Sequence, residues 1–188
     1  MTFDQKIENL KTFLIEIVRP SVGEYIRMHN PVHFDEWQHN CCKQLSIVVN
    51  ALLKEILLDT ESGYIQVESW EGLFLDVVYG RQTKYNHCWV YCSHPDPSKN
   101  LLIDVARNHK ENLVILTPEN AFPRSHPDYA RMIELDRRPL NVLDHLKEKE
   151  YFTGKFGKTF MRDLKKYMKM QILLSASKPK QVENLILV

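Results

Sequence analysis

The sequence predicts an α+β fold in which a buried helix packs on an antiparallel sheet. The first observation is a helical repeat of apolar residues over positions 45–56, which leaves almost no polar face and places this helix in a core. The second is the succession of short, strand-like runs that follows it, separated by turn-forming residues. The third is the length of 188 residues, which suits one domain whose core needs neither disulfides nor metal.

An amphipathic helix is predicted at the start of the chain. Thr2 and Gln5 have the spacing of a capping box, and Pro20 is expected to end the helix. A short turn is expected over residues 24–28, and residues 1–38 form a helical N-terminal portion. The apolar face of the first helix comprises Phe3, Ile7, Leu10, Leu14 and Ile17.

The buried helix starts with two adjacent cysteines, Cys41 and Cys42. At the first turn of a helix, unsatisfied N–H groups and the positive end of the dipole favour a thiolate, which is the nucleophilic form of cysteine. Neighbouring helical residues point about 100° apart, so the two thiols face different surroundings. Ordinary burial of both as small apolar residues is the alternative.

Four short strands are predicted after a turn at residues 59–63, and their close succession indicates an antiparallel sheet. They span residues 64–68, 73–79, 86–91 and 101–105. His87 lies at the start of the third, on the same face as Trp89 and Tyr91. It is either a functional base or a structural histidine bonded to backbone.

Asp104 stands in the otherwise apolar fourth strand. An isolated carboxylate is costly to bury unless it is paired, so a histidine partner would account for it. An aspartate facing water from an edge strand is the alternative.

The remainder of the chain is predicted to be loop over residues 108–138, with a short strand at 113–116. Residues 139–188 form a helical C-terminal portion with helices over 139–149 and 160–174. The inward faces are predicted to be Leu140, Val142, Leu143 and Leu146 in the first helix, and Phe160, Leu164, Tyr167 and Met168 in the second.

Charge and targeting signals restrict the function classes. Lys and Arg number 25 against 24 Asp and Glu, so the overall charge favours neither nucleic acid nor a membrane as partner. Residues 147–180 hold ten Lys or Arg against three acids. This local excess of positive charge indicates either a solvated helix face or a surface for an acidic partner. The sequence shows no signal peptide and no membrane-spanning run, so we expect a cytoplasmic protein or one exported without a cleaved signal. The sequence leaves the oligomeric state open.

The histidine and cysteine residues are numerous enough to raise the question of a metal site, but their spacing fits no common zinc module. The chain has no CxxC pair, and adjacent cysteines are awkward tetrahedral ligands, so the sequence predicts neither a metal nor another cofactor. The candidate ligands are His39, Cys41, Cys42, His87, Cys88, Cys92 and His94.

The order Cys42, His87, Asp104 fits nucleophilic catalysis. A thiol nucleophile needs a general base, and that base needs an acid that fixes its tautomer and stabilises its charged form. For the oxyanion of such a reaction, Gln38 and Trp37 are candidate donors, although Trp37 is equally a packing aromatic. The backbone N–H of Cys42 is a further candidate.

These residues resemble the transglutaminase-like superfamily, a branch of the papain-like cysteine enzymes. In that family the cysteine begins a helix and is followed nine residues later by Ala-Leu-Leu-basic; counting from Cys42, not Cys41, reaches Ala51-Leu52-Leu53-Lys54. The family's His-Ala-Trp-Val resembles His87-Cys88-Trp89-Val90, and its aspartate on the following strand resembles Asp104. The resemblance covers residues 39–106. It departs from the family at Asn40, which replaces a glycine, and at Val105, which replaces a proline.

The resemblance implies a single transglutaminase-like domain over residues 1–188, with the cysteine helix packed on the sheet that carries histidine and aspartate. It implies a cysteine-dependent hydrolase or acyltransferase that acts on an amide or thioester bond of a protein or peptide substrate. Cys42 would be the nucleophile, His87 the base and Asp104 its orienting acid. The acceptor, water or an amine, stays open, and the alternative is a noncatalytic binding protein on the same fold.

Overall fold

A computed structural model describes residues 3–29, 41–58, 63–78, 81–105, 115–118, 132–141, 143, 146, 147 and 155–174. Within them, five strands form one sheet in the order β4-β3-β2-β1-β5, and every neighbouring pair is antiparallel. The predicted α+β class with an antiparallel sheet is therefore confirmed. The strands are β1 (Gln66–Val78), β2 (Arg81–Ser93), β3 (Leu101–Asp104), β4 (Ile115–Pro118) and β5 (Met132–Pro139).

The predicted break between the strands over 64–68 and 73–79 is wrong, because β1 runs continuously from Gln66 to Val78. Polar Ser69 interrupts the apolar pattern, yet it is buried against the helix that follows the two cysteines. Its hydroxyl donates to the Ser46 carbonyl at 3.2 Å and accepts from Asn50 Nδ2 at 3.3 Å. Since a buried hydroxyl with partners costs little, the strand runs through this position without a turn.

β5 occupies part of the region that was predicted to be loop. It pairs with β1 at the edge of the sheet and carries charged residues such as Asp136 and Arg138, which are common on edge strands and obscure the strand pattern. The predicted inward face of a helix over 139–149 is also wrong in part. Leu140 is buried, whereas Leu143 and Leu146 are 67% and 47% exposed; Val142 lies outside the described residues.

Helices cover the face of the sheet that carries Val90 and Cys92. The helical elements are α1 (Phe3–Phe13), a π-helical turn (Leu14–Val18), α2 (Arg19–His29), α3 (Cys42–Leu57) and α4 (Lys155–Leu174). α3 makes the main contacts with β1 and β2, and the other helices pack into the same core.

Pro20 does not end the N-terminal helical run, contrary to the prediction. The π-helical turn is closed by a hydrogen bond from the Arg19 N–H to the Leu14 carbonyl, and Pro20 follows in the first turn of α2. Because the run continues through residue 20, the missing N–H of Pro20 interrupts the hydrogen-bond ladder directly after the π turn, which is itself a local departure from α-helical bonding.

α3 lies at the centre of the core. Leu45, Val48, Val49, Leu52 and Leu53 are all buried, as the apolar repeat predicts. α4 also packs on this core with the predicted face: Leu164 and Met168 are buried, and Phe160 and Tyr167 are partly buried against it. Among the described residues, no helix is long and apolar enough to cross a membrane.

Candidate active site

Cys42 is the first residue of α3, and Cys41 is its N-cap. The Cys41 thiol is buried in the main core, whereas Cys42 is partly exposed and packs against a small cluster of Ile47, Cys88 and Leu140. The two adjacent thiols therefore have different surroundings. Because an N–H of the first helical turn has no carbonyl partner within the helix, the backbone N–H of Cys42 is suited to hydrogen-bond a ligand.

His87 and Asp104 form a buried hydrogen bond across β2 and β3. The Nε2 of His87 lies 2.6 Å from Oδ2 of Asp104, and the two residues are only 5% and 0% exposed. The register pairs Tyr91 with Leu102, so Asp104 follows opposite Trp89 and is diagonal to His87 on the same face of the sheet. The strand pairing alone thus brings the two side chains together.

The imidazole of His87 also hydrogen-bonds with the side chain of Cys42. Since Nε2 is engaged by Asp104, the nitrogen available to the thiol is Nδ1. The ring therefore connects a buried carboxylate on one side with a partly exposed thiol on the other. This chain of three groups is able to carry a proton between the sulfur and the ring while the carboxylate stabilises the charged ring.

The surroundings favour the ionised pair. A hydrogen bond from the Cys88 thiol lowers the pKa of Cys42 most; burial opposes this, and the hydrogen bond and charge of His87 lower the pKa further, to well below the usual range. Burial lowers the pKa of His87, but the charge and hydrogen bonds of Asp104 and Cys42 outweigh it and raise that pKa to about 10. Each group therefore favours the charged form of the other, a thiolate beside an imidazolium.

Cys88 is the residue that the sequence analysis did not place in the site. Its side chain and its backbone N–H both hydrogen-bond the Cys42 sulfur. The signal available in the sequence was a cysteine directly after the candidate base His87.

Charged side chains of both signs lie near the two thiols. Glu71 is opposite Cys88 in the β1–β2 register, and its carboxylate accepts a hydrogen bond from Arg138 Nε at 2.8 Å. The charges of Lys43 and Glu71 act on Cys88 in opposite directions.

The other predicted site residues have no described position. Trp37, Gln38 and His39 lie outside the described residues, so the expected side-chain oxyanion donors stay predictions. Within the described part of the chain, no group of three or more His, Cys, Asp or Glu side chains is arranged to hold a metal ion.

Comparison with protein-family models, curated proteins and solved structures finds no match for this chain. The site must therefore be interpreted from its own chemistry.

Proposed function

We propose that this protein is a cysteine-dependent hydrolase or acyltransferase of the transglutaminase-like type, acting on an amide or thioester bond. Cys42 is the nucleophile, His87 is the general base and acid, and Asp104 orients His87. The observation that carries the proposal is the buried His87–Asp104 hydrogen bond of 2.6 Å, whose imidazole also bonds the thiol at the start of α3.

Stability alone is a weak reason for this arrangement. A buried ion pair often contributes no more than apolar residues of similar volume, because removing both charges from water offsets their attraction. Here the pair is joined to a third ionisable group, Cys42, which is partly exposed. Perturbed ionisable groups joined in this way are typical of functional sites.

The reaction begins with attack of the Cys42 thiolate on the carbonyl carbon of the substrate. The oxygen of the tetrahedral intermediate accepts a hydrogen bond from the backbone N–H of Cys42 at the helix start. The imidazolium of His87 donates its proton to the departing amine or thiolate, which leaves an acyl group on the Cys42 sulfur. Asp104 holds the ring in place and stabilises its charged form throughout.

The acyl group then passes to an acceptor. Neutral His87 removes a proton from water in the hydrolytic case, or from a primary amine in the transfer case, as that group attacks the thioester. Release of the acyl group regenerates the thiolate and imidazolium pair. A protein or peptide is the proposed acyl donor.

Intact-protein mass spectrometry tests this proposal with a panel of peptide thioesters and amides, each with and without a primary amine. We expect an acyl adduct on Cys42 in the unaltered protein and in Cys41→Ala, but none in Cys42→Ala. Cys41→Ala is the matched control because it removes the adjacent thiol from the same helix start. Adduct formation should be accompanied by a low pKa in the pH profile of alkylation.

Two results would decide against the proposal. Preferential labelling of Cys41 by substoichiometric iodoacetamide would move the reactive thiol by one residue and break the register with Ala51-Leu52-Leu53-Lys54. If Cys42 formed no adduct and titrated like an ordinary thiol, the noncatalytic binding protein would become the better interpretation.

A further inference from the structure

A second thiol touches the proposed nucleophile. Cys88 is buried, and Cys42 packs against the cluster that contains Cys88, Ile47 and Leu140. Both the thiol and the backbone N–H of Cys88 hydrogen-bond the Cys42 sulfur, although the two residues come from different elements, α3 and β2. From these contacts we propose that Cys42 and Cys88 form a reversible disulfide when the protein reacts with a peroxide.

The two thiols differ in the way that this chemistry requires. Cys42 is partly exposed, so a peroxide can reach its sulfur. The sulfur lies beside the His87 imidazole, whose charged form favours the reactive thiolate. Cys88 is enclosed by apolar side chains and is protected from direct oxidation. The first reaction therefore takes place at Cys42 and the second at Cys88.

In the first step the Cys42 thiolate attacks one oxygen of the peroxide. The O–O bond breaks, the sulfur is oxidised to a sulfenic acid, and the departing hydroxide takes the proton of the His87 imidazolium to become water. In the second step the Cys88 sulfur attacks the sulfenic sulfur, an S–S bond forms, and the hydroxyl leaves with the Cys88 proton as a second water. The peroxide is reduced by the two electrons that the dithiol loses.

The first step prepares the second. The hydrogen bond with Cys42 is the foremost cause that raises the pKa of Cys88, followed by burial and by the charge of Cys42. Conversion of the Cys42 thiolate to a neutral sulfenic acid removes that charge. The hydrogen bond that Cys88 donates to Cys42 then becomes weaker. Cys88 is then easier to deprotonate at the moment when its partner becomes electrophilic.

The other cysteines are poorer partners. Cys41 is turned into the main core, and adjacent cysteines rarely bridge because their geometry strains the disulfide. Cys92 lies four residues along β2 from Cys88, or roughly 13 Å at the usual rise of a strand. Burial raises the pKa of Cys92 to about 12, so this thiol stays protonated.

A disulfide at this position would remove the nucleophile from acyl chemistry and return it on reduction. It would also protect Cys42 from the irreversible sulfinic state. This inference requires a reactive thiol at Cys42 but does not depend on the acyl-transfer reaction, so each can fail without the other.

The experiment treats the reduced full-length protein with equimolar hydrogen peroxide and then maps its peptides without reduction. We expect one disulfide, between the Cys42 and Cys88 peptides, formed in the unaltered protein and in Cys92→Ala, and fully reversed by dithiothreitol. Cys92→Ala is the matched control because it removes a buried thiol from the same face of the same strand. In Cys88→Ala, the same treatment should leave Cys42 as sulfenic or sulfinic acid, with the sulfinic fraction not recovered by dithiothreitol.

Cys88→Ser provides the same test if Cys88→Ala does not fold, which circular dichroism establishes. A disulfide between any other pair would overturn the proposal, as would reversible protection of Cys42 that persists in the Cys88 variant. Direct oxidation of Cys42 to sulfinic acid in the unaltered protein would overturn it as well. Acyl-adduct formation by the reduced protein, measured separately, reports on the proposed function alone.

Discussion

Two polar clusters lie along α3, and they differ in the kind of group that each one buries. In the middle of the helix, the amide of Asn50 donates to the Ser69 hydroxyl at 3.3 Å, and this hydroxyl donates to the Ser46 carbonyl at 3.2 Å. At the start of the helix, the Cys42 thiol bonds His87, which bonds Asp104 at 2.6 Å. The first cluster is neutral, and the second is ionisable throughout.

The difference separates packing from chemistry. Neutral amides and hydroxyls that find partners tie the helix to the strand at little net cost, and they have no proton to exchange near neutral pH. The ionisable cluster costs more to bury, and it holds a partly exposed sulfur next to a proton donor. Changes in the second cluster should therefore alter reactivity, whereas changes in the first should alter stability alone.

The largest effect is expected from His87→Ala. Loss of the imidazolium removes a charge and a hydrogen bond from Cys42 and should raise the pKa of Cys42 toward the ordinary value of about 8.5, while the hydrogen bonds from Cys88 oppose that rise. The alkylation rate near pH 6 should then fall by roughly tenfold to a hundredfold. The fall is caused by a smaller fraction of thiolate, and it is limited because a thiolate of higher pKa is intrinsically more nucleophilic. The rate of Cys42 alkylation, measured at a series of pH values, gives the pKa of Cys42 directly.

His87→Gln is the matched variant, since an amide can still donate to Asp104 but carries no charge. If the pH profiles of Cys42 alkylation are similar in His87→Ala and His87→Gln, the slower alkylation is caused by the lost charge and not by a cavity. An unchanged pH profile in both would mean that Cys42 ionises independently of His87, and the three residues would then be neighbours without shared chemistry.

Asp104→Asn should produce a smaller effect of the same sign. The amide keeps the shape of the carboxylate but removes the charge that stabilises the imidazolium, so the pKa of His87 falls and that of Cys42 rises less than in His87→Ala. We expect alkylation near pH 6 to slow by roughly threefold to tenfold. A larger loss than in His87→Ala, measured in a variant with an unaltered circular dichroism spectrum, would contradict the assigned order of the groups.

The coupled pair should also give stability a definite dependence on pH. Above about pH 8.5 the unfolded chain has a cysteine thiolate and a neutral histidine, whereas the native pair keeps one proton more until the pKa of His87, about 10. Stability should fall over that window. Below about pH 6.5 the unfolded chain holds one proton more than the native pair, so stability should fall as the pH drops through the lowered pKa of Cys42.

The slope on each side should reach about 1.4 kcal/mol per pH unit, the value for one proton. Urea unfolding of the unaltered protein and of His87→Gln, compared at each pH, isolates this contribution from the other titrating groups. A difference between them that stays flat from about pH 5 to 10 would show that the native thiol and imidazole are not an ion pair.

The sequence contains enough to predict α3 and the polar residues of the ionisable cluster. A helix that is apolar on nearly every side belongs in a core, and Asp104 within an apolar strand requires a partner, which proves to be His87. Cys88 escaped prediction because a buried cysteine looks like any small apolar residue until its contact with Cys42 is known.

The neutral cluster and the edge of the sheet were predicted less well. Ser69 lies in the gap between the two predicted strands, and its partners Ser46 and Asn50, which stabilise it within β1, lie on α3 and are remote in sequence. The charged residues of β5 likewise concealed a strand whose pairing with β1 depends on tertiary structure. Local patterns predict an element when its own residues determine burial, and fail when distant partners do.

The smallest effect on reactivity, and the sharpest test of the comparison, is expected from Asn50→Ala. The change removes the donor to Ser69 inside the core and should lower the free energy of unfolding by about 1–3 kcal/mol, which urea unfolding measures. The pH profile of Cys42 alkylation should stay unchanged, since Asn50 carries no charge and lies two turns of α3 away from the thiol. Ser69→Ala, which removes the other side of the same contact, should behave alike, and the two losses should not add because the residues share one hydrogen bond. A shift in the alkylation profile of either folded variant would show that the two clusters are coupled through α3, and the separation between packing and chemistry would then fail.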